Sequence, residues 1–428
     1  MNFTKTTVRL GRRRVLVARP NPRQYGHLGL DIAMSLAHAR EDGADVYFVR
    51  PPSLLGSGLF ELESPEVRVL RPTPAIRELF RTCMSWRIFR DRVDDWREGI
   101  REQVEREFVR EATRYVADPG MPQEIRESFR GARGRLRASL DRAARDSRLR
   151  PPYYERRLLR KPVPVRLNSA AHEEAARQAR AHGIAPDARL VCIHAREAGY
   201  KRGSEIHETK PDTGRDDRVR NARIESYLGA VDYLVQRGYT VIRLGDPSMT
   251  PLRHPGVVDL ATSPTRTNLL EVYCLLRSDF IIAGESAYVN VICLTNTPIL
   301  LVNATEPISA YSVRGPGLFL PKTVVDKSDG RRLTNADLLG RDYHRWFRDI
   351  KKYLYVDNSP EEVLEATREM LDWTAGEWVE SPAQRSYHEA IVEAAAQLRR
   401  HSVYVQKWGL HEGFLGDGRI ARVALARQ

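Results

Sequence analysis

Five apolar runs of strand length in this chain are each followed by a polar segment able to bind an anion or move a proton. After residues 14–18 come Gly26, His27 and, one helical turn on, Asp31. His27 and Asp31 lie four apart, so a helix puts them on one face, where either can serve as a general base. After 188–194 comes Ala195-Arg196-Glu197, with Lys201 in the same loop. Arg196 offers a planar fork of donors and Lys201 a point charge, which together suit a departing diphosphate. The run 239–243 ends in Arg243 and leads to Gly245-Asp246, a turn that can hold a ribose or a base edge. After 279–283 comes Gly284-Glu285-Ser286, where glycine lets the backbone approach a phosphate and a helix start supplies donors beside the serine hydroxyl. After 298–302 comes Asn303-Ala-Thr-Glu306. Each segment also has a plainer reading as a cap, an ordinary turn or solvated loop charge.

The elements that must position these residues alternate. Arg14–Ala18, a helix from Leu28 to Arg40 and Asp45–Val49 form a strand–helix–strand unit, with a further strand expected at Val67–Leu70. From Pro74 to about 160 the pattern turns helical and highly charged, broken at Pro119-Gly-Met-Pro122. Beyond Lys161-Pro-Val-Pro164, helices and apolar runs alternate through Val302, with Asn221 placed to N-cap a helix that Gly238 ends. Such alternation specifies a doubly wound parallel sheet, and ligands bind such sheets beyond the carboxyl ends of their strands. The predicted organisation is α/β, with two facing Rossmann-like domains. Residues 1–165 form an acceptor domain with a helical insertion at about 74–160, 166–375 form a donor domain, and 376–428 form a helical extension.

Composition narrows the class. With 428 residues, 42% hydrophobic and 29% charged, the chain is that of a folded protein, and no apolar run of about 18 residues suits a membrane span. The start, Met1 to Arg14, is basic and shows no secretory signal. Cys83, Cys192, Cys274 and Cys293 lack metal or disulfide spacing and read as reduced thiols, so the expected compartment is the cytosol. The net charge is 69 − 56 = +13. Residues 130–161 hold 12 basic against three acidic side chains, a local +9, which reads as a contact for an anionic membrane face, a lipid diphosphate or nucleic acid, or as a solvated linker. No dinucleotide-binding glycine motif, P-loop or serine nucleophile elbow is present. Asp94-Asp95 and Asp216-Asp217 do not form the strand-end D-x-D of a metal-dependent sugar transferase, so neither metal nor cofactor is expected.

The segments Val191-Cys-Ile-His-Ala-Arg-Glu-Ala-Gly-Tyr-Lys201, Arg220-Asn-Ala-Arg-Ile-Glu-Ser-Tyr227, Gly238-Tyr-Thr-Val-Ile-Arg-Leu-Gly-Asp246 and Ser278-Asp-Phe-Ile-Ile-Ala-Gly-Glu-Ser286, with the Gly26-His27-Leu28 loop, resemble one family. It is a group of bacterial glycosyltransferases of surface-polysaccharide biosynthesis. The resemblance covers most of the chain and is best between about 185 and 305. More distantly, His194-x-Arg196 and the Ser286 turn are similar to the arginine and serine motifs of fucosyltransferases with the GT-B architecture. The resemblance implies a nucleotide-sugar donor on the second domain, an acceptor on the first, no metal requirement, and Arg196 on the donor's diphosphate. Ala195-Arg196-Glu197 lacks the second arginine of the fucosyltransferase pattern, so GDP-fucose is not implied. The E-x7-E spacing of many retaining enzymes is missing, since eight residues after Glu285 stands Cys293, and inversion is expected.

The reading is therefore a metal-independent glycosyltransferase that moves a sugar from a nucleotide-sugar donor to a glycan or lipid-linked acceptor. His27 or Asp31 serves as base and Arg196 as the charge-stabilising group. Lys201, Arg243, Gly245, Asp246, Gly284, Glu285 and Ser286 complete the donor site. Peripheral contact with the inner face of the cell membrane would run through 130–161, and nucleic acid is not the expected partner. Two alternatives stand beside it: a nucleotide-sugar epimerase of the same architecture, and a basic membrane- or nucleic-acid-binding scaffold without catalysis.

Overall fold

The computed structural model describes residues 4–20, 25–50, 57–71, 73–87, 89, 113, 117, 122–124, 126–128, 130–131, 161–197, 209–210, 215–305, 307–308, 316–398 and 418–427. Two sheets organise them. In the first, β1 (Thr4–Leu10) turns back antiparallel on β2 (Arg13–Arg19), which pairs parallel with β3 (Asp45–Phe48) through the Tyr25–Glu41 helix. β1 is an addition to the expected unit; its alternation of threonine and valine with charge suits an edge strand with one wet face. The expected strand at Val67–Leu70 is reduced to a single parallel bridge between Val46 and Val69.

Side-chain alternation along β2 covers both faces of this sheet. Leu16 and Ala18 point into the main core beside the Tyr25–Glu41 helix. Val15 and Val17 point the other way, onto Phe80 and Met84 of the helical residues 74–87. The start of the expected helical insertion is thus a layer of the first unit. The short antiparallel ladder of β4 (Leu62–Glu63) with β5 (Arg166–Leu167) closes the unit where the chain returns.

The second sheet holds β6 (Arg189–His194), β9 (Tyr239–Arg243), β10 (Val257–Asp259), β11 (Ser278–Ala283), β12 (Ile299–Ala304), β13 (Gly317–Pro321) and β16 (Gly418–Ile420). The small ladders β7 (Thr209–Lys210) with β8 (Arg215–Asp216) and β14 (Thr323–Asp326) with β15 (Tyr353–Val356) stand outside it. Its order is β10-β9-β6-β11-β12-β13-β16 and every pairing is parallel. Strands with unbroken apolar centres, such as Arg189-Leu-Val-Cys-Ile-His194, form because helices cover both faces. Those helices are capped by their own sequence. Asn168 accepts from Ala171 N, Thr267 from Leu270 N, and Ser359 makes a reciprocal box with Glu362 ahead of Pro360. Gly238 ends the Leu228–Gln236 helix with φ of 81°. The fold class is α/β, as expected.

Two expectations change. Residues 376–428 are not a separate helical extension, because Gly418–Ile420 is the edge strand of the main sheet and Gln384 Nε2 donates to Ile420 O at 2.7 Å. Asn221 does not cap a helix. It follows the short turn Asp217–Arg220, and the next helical turn starts at Ile224 behind Arg223. The basic stretch 130–161 lies outside the described residues except at Arg130, Gly131 and Lys161. Among the described residues no helix is long and apolar enough to cross a membrane.

Candidate functional site

Strand order reverses at β6 and β11, since the chain steps from β6 outward to β9 and from β11 outward to β12. That point is where a doubly wound sheet opens a crevice beyond its strand ends. Ala283 pairs with His194, and Gly284 N donates to His194 O at 3.1 Å. Arg196 and Gly284-Glu285-Ser286 therefore leave neighbouring strands side by side.

Around this point several donors are enclosed. Arg196 is buried; its Nη1 bonds Asn221 Oδ1 and donates to Asp217 O at 3.3 Å. Ser286 Oγ is enclosed and has no hydrogen-bond partner among the described residues. The Tyr288–Thr295 helix starts behind Ala287, whose side chain offers no capping acceptor. At Gly284 an added Cβ would meet nothing nearer than 3.8 Å, to Tyr227 Oη and Val302 O. Neither packing nor a left-handed backbone requires glycine there. Tyr227 Oη and the Asn303 side chain, both fully buried, face each other in this neighbourhood.

Glu285 is buried but not idle. Its carboxylate accepts from Thr305 N at 3.0 Å, Thr305 Oγ1 at 2.7 Å and Arg348 Nη2 at 2.8 Å. Arg348 also reaches Asp217 Oδ1 at 3.0 Å and holds a left-handed backbone with φ of 61°. That conformation is uncommon for arginine and marks a position the surroundings enforce. Sequence reasoning missed Arg348, since nothing in Arg345-Trp-Phe-Arg-Asp349 signals a partner 63 residues away. Lys322, likewise missed and buried, donates to Asn221 O at 2.8 Å and Asp357 Oδ1 at 2.6 Å.

Other predicted residues sit differently. Arg243 is fully buried and spends its guanidinium on Glu197 at 2.9 Å, Asp259 at 3.1 Å and Thr250 O at 2.6 Å. It props the loop that carries Arg196 from beneath; it is not presented to a ligand. Gly245 makes room for Met249 Sδ, on which any Cβ would collide. Asp246 Oδ1 closes a turn with Ser248 N at 2.9 Å. Lys201 lies outside the described residues.

The first unit contributes its helix start. An added Cβ on Gly26 would lie 2.8 Å from Ala287 Cα and O, so the Tyr25–Glu41 helix begins against the Tyr288–Thr295 helix. This places His27, half-buried, one residue from the contact. Asp31, one turn on, is fully buried. Tyr25 and Tyr288 meet edge to face at 5.7 Å, and His194 lies 4.6 Å from Tyr288. Burial lowers the His194 pKa to about 4, and Nδ1 donates to Leu244 O at 3.0 Å, so the ring is neutral near pH 7. Below it Glu271 is buried and its carboxyl is pushed up by burial, even with Arg266 Nε at 3.0 Å and Tyr288 Oη at 3.2 Å. Among the described residues no group of three or more His, Cys, Asp and Glu is placed to hold a metal ion.

No protein-family model matches the chain, and no curated protein does. Solved structures similar to it include E. coli ADP-heptose LPS heptosyltransferase II, with 13% identity over 67% of this chain and 83% of that one, at a TM-score of 0.31. A glycosyl transferase family 9 protein from Veillonella parvula matches with 12% identity, 56% and 54% coverage and a TM-score of 0.24. The dodecameric iron-containing heptosyltransferase TibC, solved with ADP-D-β-D-heptose, gives 15%, 54%, 50% and 0.21. Likenesses this low carry no functional weight.

Proposed function

We propose that the protein is a glycosyltransferase of the GT-B kind, taking a sugar from a nucleotide donor to a glycan or lipid-linked acceptor. The observation that carries the proposal is the convergence of Arg196 with Gly284-Glu285-Ser286 at the one point where strand order reverses. Enclosed donors without acceptors are costly unless a ligand completes them, and an anion rich in acceptor oxygens does so. A diphosphate is such an anion.

In the proposed reaction the acceptor hydroxyl attacks the anomeric carbon in line. The new C–O bond forms as the bond to the diphosphate oxygen breaks, which inverts the centre. His27 takes the acceptor proton, and Asp31, enclosed one turn behind it, is assigned the orienting role. The charge developing on the leaving nucleoside diphosphate meets Arg196, Lys201 and the amide groups of Glu285 and Ser286. Asp246 is assigned to the nucleoside, while Arg243 and Gly245 hold the loop and turn that frame it. The same proposal keeps peripheral membrane contact through 130–161, which would bring a lipid-linked acceptor to the site.

The test is a thermal-shift panel of ADP-, UDP-, GDP-, dTDP- and CMP-sugars on the full chain. A donor at 100 times its dissociation constant adds about 2.7 kcal/mol to the native state. One nucleotide class should shift the wild type and leave Arg196→Ala unmoved. A panel in which no sugar nucleotide shifts the melt removes the proposal.

A further inference from the structure

Three guanidinium groups from three separate segments meet at one residue, Asp217. Arg196 Nη1 donates to its carbonyl at 3.3 Å, Arg220 Nη2 lies 3.2 Å from Oδ2, and Arg348 Nη1 lies 3.0 Å from Oδ1. The arginines are far less exposed than the carboxylate they hold, with side-chain values of 16% for Arg220 and 7% for Arg348 against 35% for Asp217. Arg220 Nε is enclosed and has no hydrogen-bond partner among the described residues. Glu285 is the second carboxylate, on Arg348. Among the described residues, three cations and two carboxylates leave 3 − 2 = +1 at this place.

We infer that Asp217 stands in for the donor's diphosphate, and that Arg220 and Arg348 join Arg196 in gripping that diphosphate once Asp217 gives way. This inference rests on the proposed function and names further binding residues for it. The physical reason is the cost of an unpaired buried guanidinium, which must have an anion whether or not ligand is bound. A half-exposed side chain on a short turn can supply one and swing aside. Two phosphates then offer more acceptor oxygens, in the bidentate geometry that guanidinium groups favour. Arg220 O lies 3.9 Å from the position of a Cβ on Gly284, so the cluster borders the turn where the backbone is open to a phosphate.

The experiment measures binding of inorganic pyrophosphate, ADP, UDP and GDP to the full chain by calorimetry. Asp217→Asn removes the competing charge, taking the place from +1 to +2, and should bind pyrophosphate about tenfold more tightly, while its free form melts lower. Arg220→Gln and Arg348→Gln should each bind about tenfold or more weakly. Arg348 also anchors Glu285 and Thr305, so Arg220→Gln decides the matter if Arg348→Gln does not fold. Unchanged or weaker pyrophosphate binding by Asp217→Asn overturns the inference, because Asp217 would then be a fixed organiser of the arginines. The two readings fail separately. Tighter pyrophosphate binding without any sugar-nucleotide response would keep the exchange and discard the transferase, and sugar-nucleotide binding untouched by Asp217→Asn would do the reverse.

Discussion

The two sheets solve different problems. The seven-stranded sheet is parallel throughout, and its strands β6, β9, β11 and β12 are buried at every position or all but one. The three-stranded sheet has an antiparallel edge and little width, and its Tyr25–Glu41 helix is buried at 13 of 17 positions. A helix covered by its own sheet alone would bury one stripe. This one buries a second face because Gly26 and Gly29 let its backbone lie against Ala287 and Val291 of the larger unit. The smaller unit is therefore completed by the larger one, and the candidate site sits on that seam. The start of the Tyr25–Glu41 helix on the first unit and the β11 turn on the second are held in register by backbone-level contact.

The largest expected effect separates the units by acid. His194 and His344 both belong to the larger unit, and burial lowers each pKa to about 4. Unfolded histidine titrates near 6.5, so between about pH 6.5 and 4 the unfolded state binds the extra protons. Stability is present above that window and falls as pH drops through it, by up to about 3 kcal/mol for each histidine. Urea unfolding measured across the window should show this decline, and His344→Phe should remove about half of it. A flat profile would mean that the two rings take up protons without loss of packing.

Next in size is the chemical half of the comparison. Arg196→Ala should lower transfer by about 10²-fold, or ~2.7 kcal/mol of transition-state stabilisation, with the fold intact. Turnover under saturating donor is the measurement, and near-normal transfer would take Arg196 out of its role. The seam itself is tested by Gly26→Ala. The new methyl meets backbone atoms at 2.8 Å, which cannot rotate away, and overpacking of this kind costs about 1–3 kcal/mol. Urea midpoints that do not move would show that the two helices separate freely.

Legibility in the sequence followed the same division. Buried parallel strands are apolar runs, so β6, β9, β11 and β12 can be read directly, and the Asn268–Arg277 helix has its cap in Thr267. β16, Gly-Arg-Ile, is too short and too polar at its centre to announce itself, and only its partner β13 makes it a strand. Site residues divide by whether their role is local. The placement of Arg196 and Gly284-Glu285-Ser286 at neighbouring strand ends is legible because apolar runs fix where the strands stop. Arg243 misleads, because an arginine closing an apolar strand looks like a site cation until Asp259 and Glu197 are brought beneath it. Arg348 gives no signal, since its role depends on Asp217 and Glu285, which only the tertiary fold delivers.

The smallest effect on stability carries the sharpest distinction. Gly26, Gly58 and Gly245 are glycines because a Cβ would strike a neighbour, whereas at Gly284 the nearest atoms stand at ordinary contact distance. Gly284→Ala should then leave stability within about 1 kcal/mol of wild type, in either direction, since alanine also restricts the unfolded chain. Its cost should appear only with ligand. A methyl group beside the helix start would stand where a phosphate oxygen must approach the amide groups, and donor affinity should fall about tenfold. Calorimetry on Gly284→Ala beside a urea melt separates the two outcomes. Lost stability would make this glycine a packing residue like the others, and full affinity in a stable variant would move the phosphate away from the β11 turn and towards the arginines at Asp217.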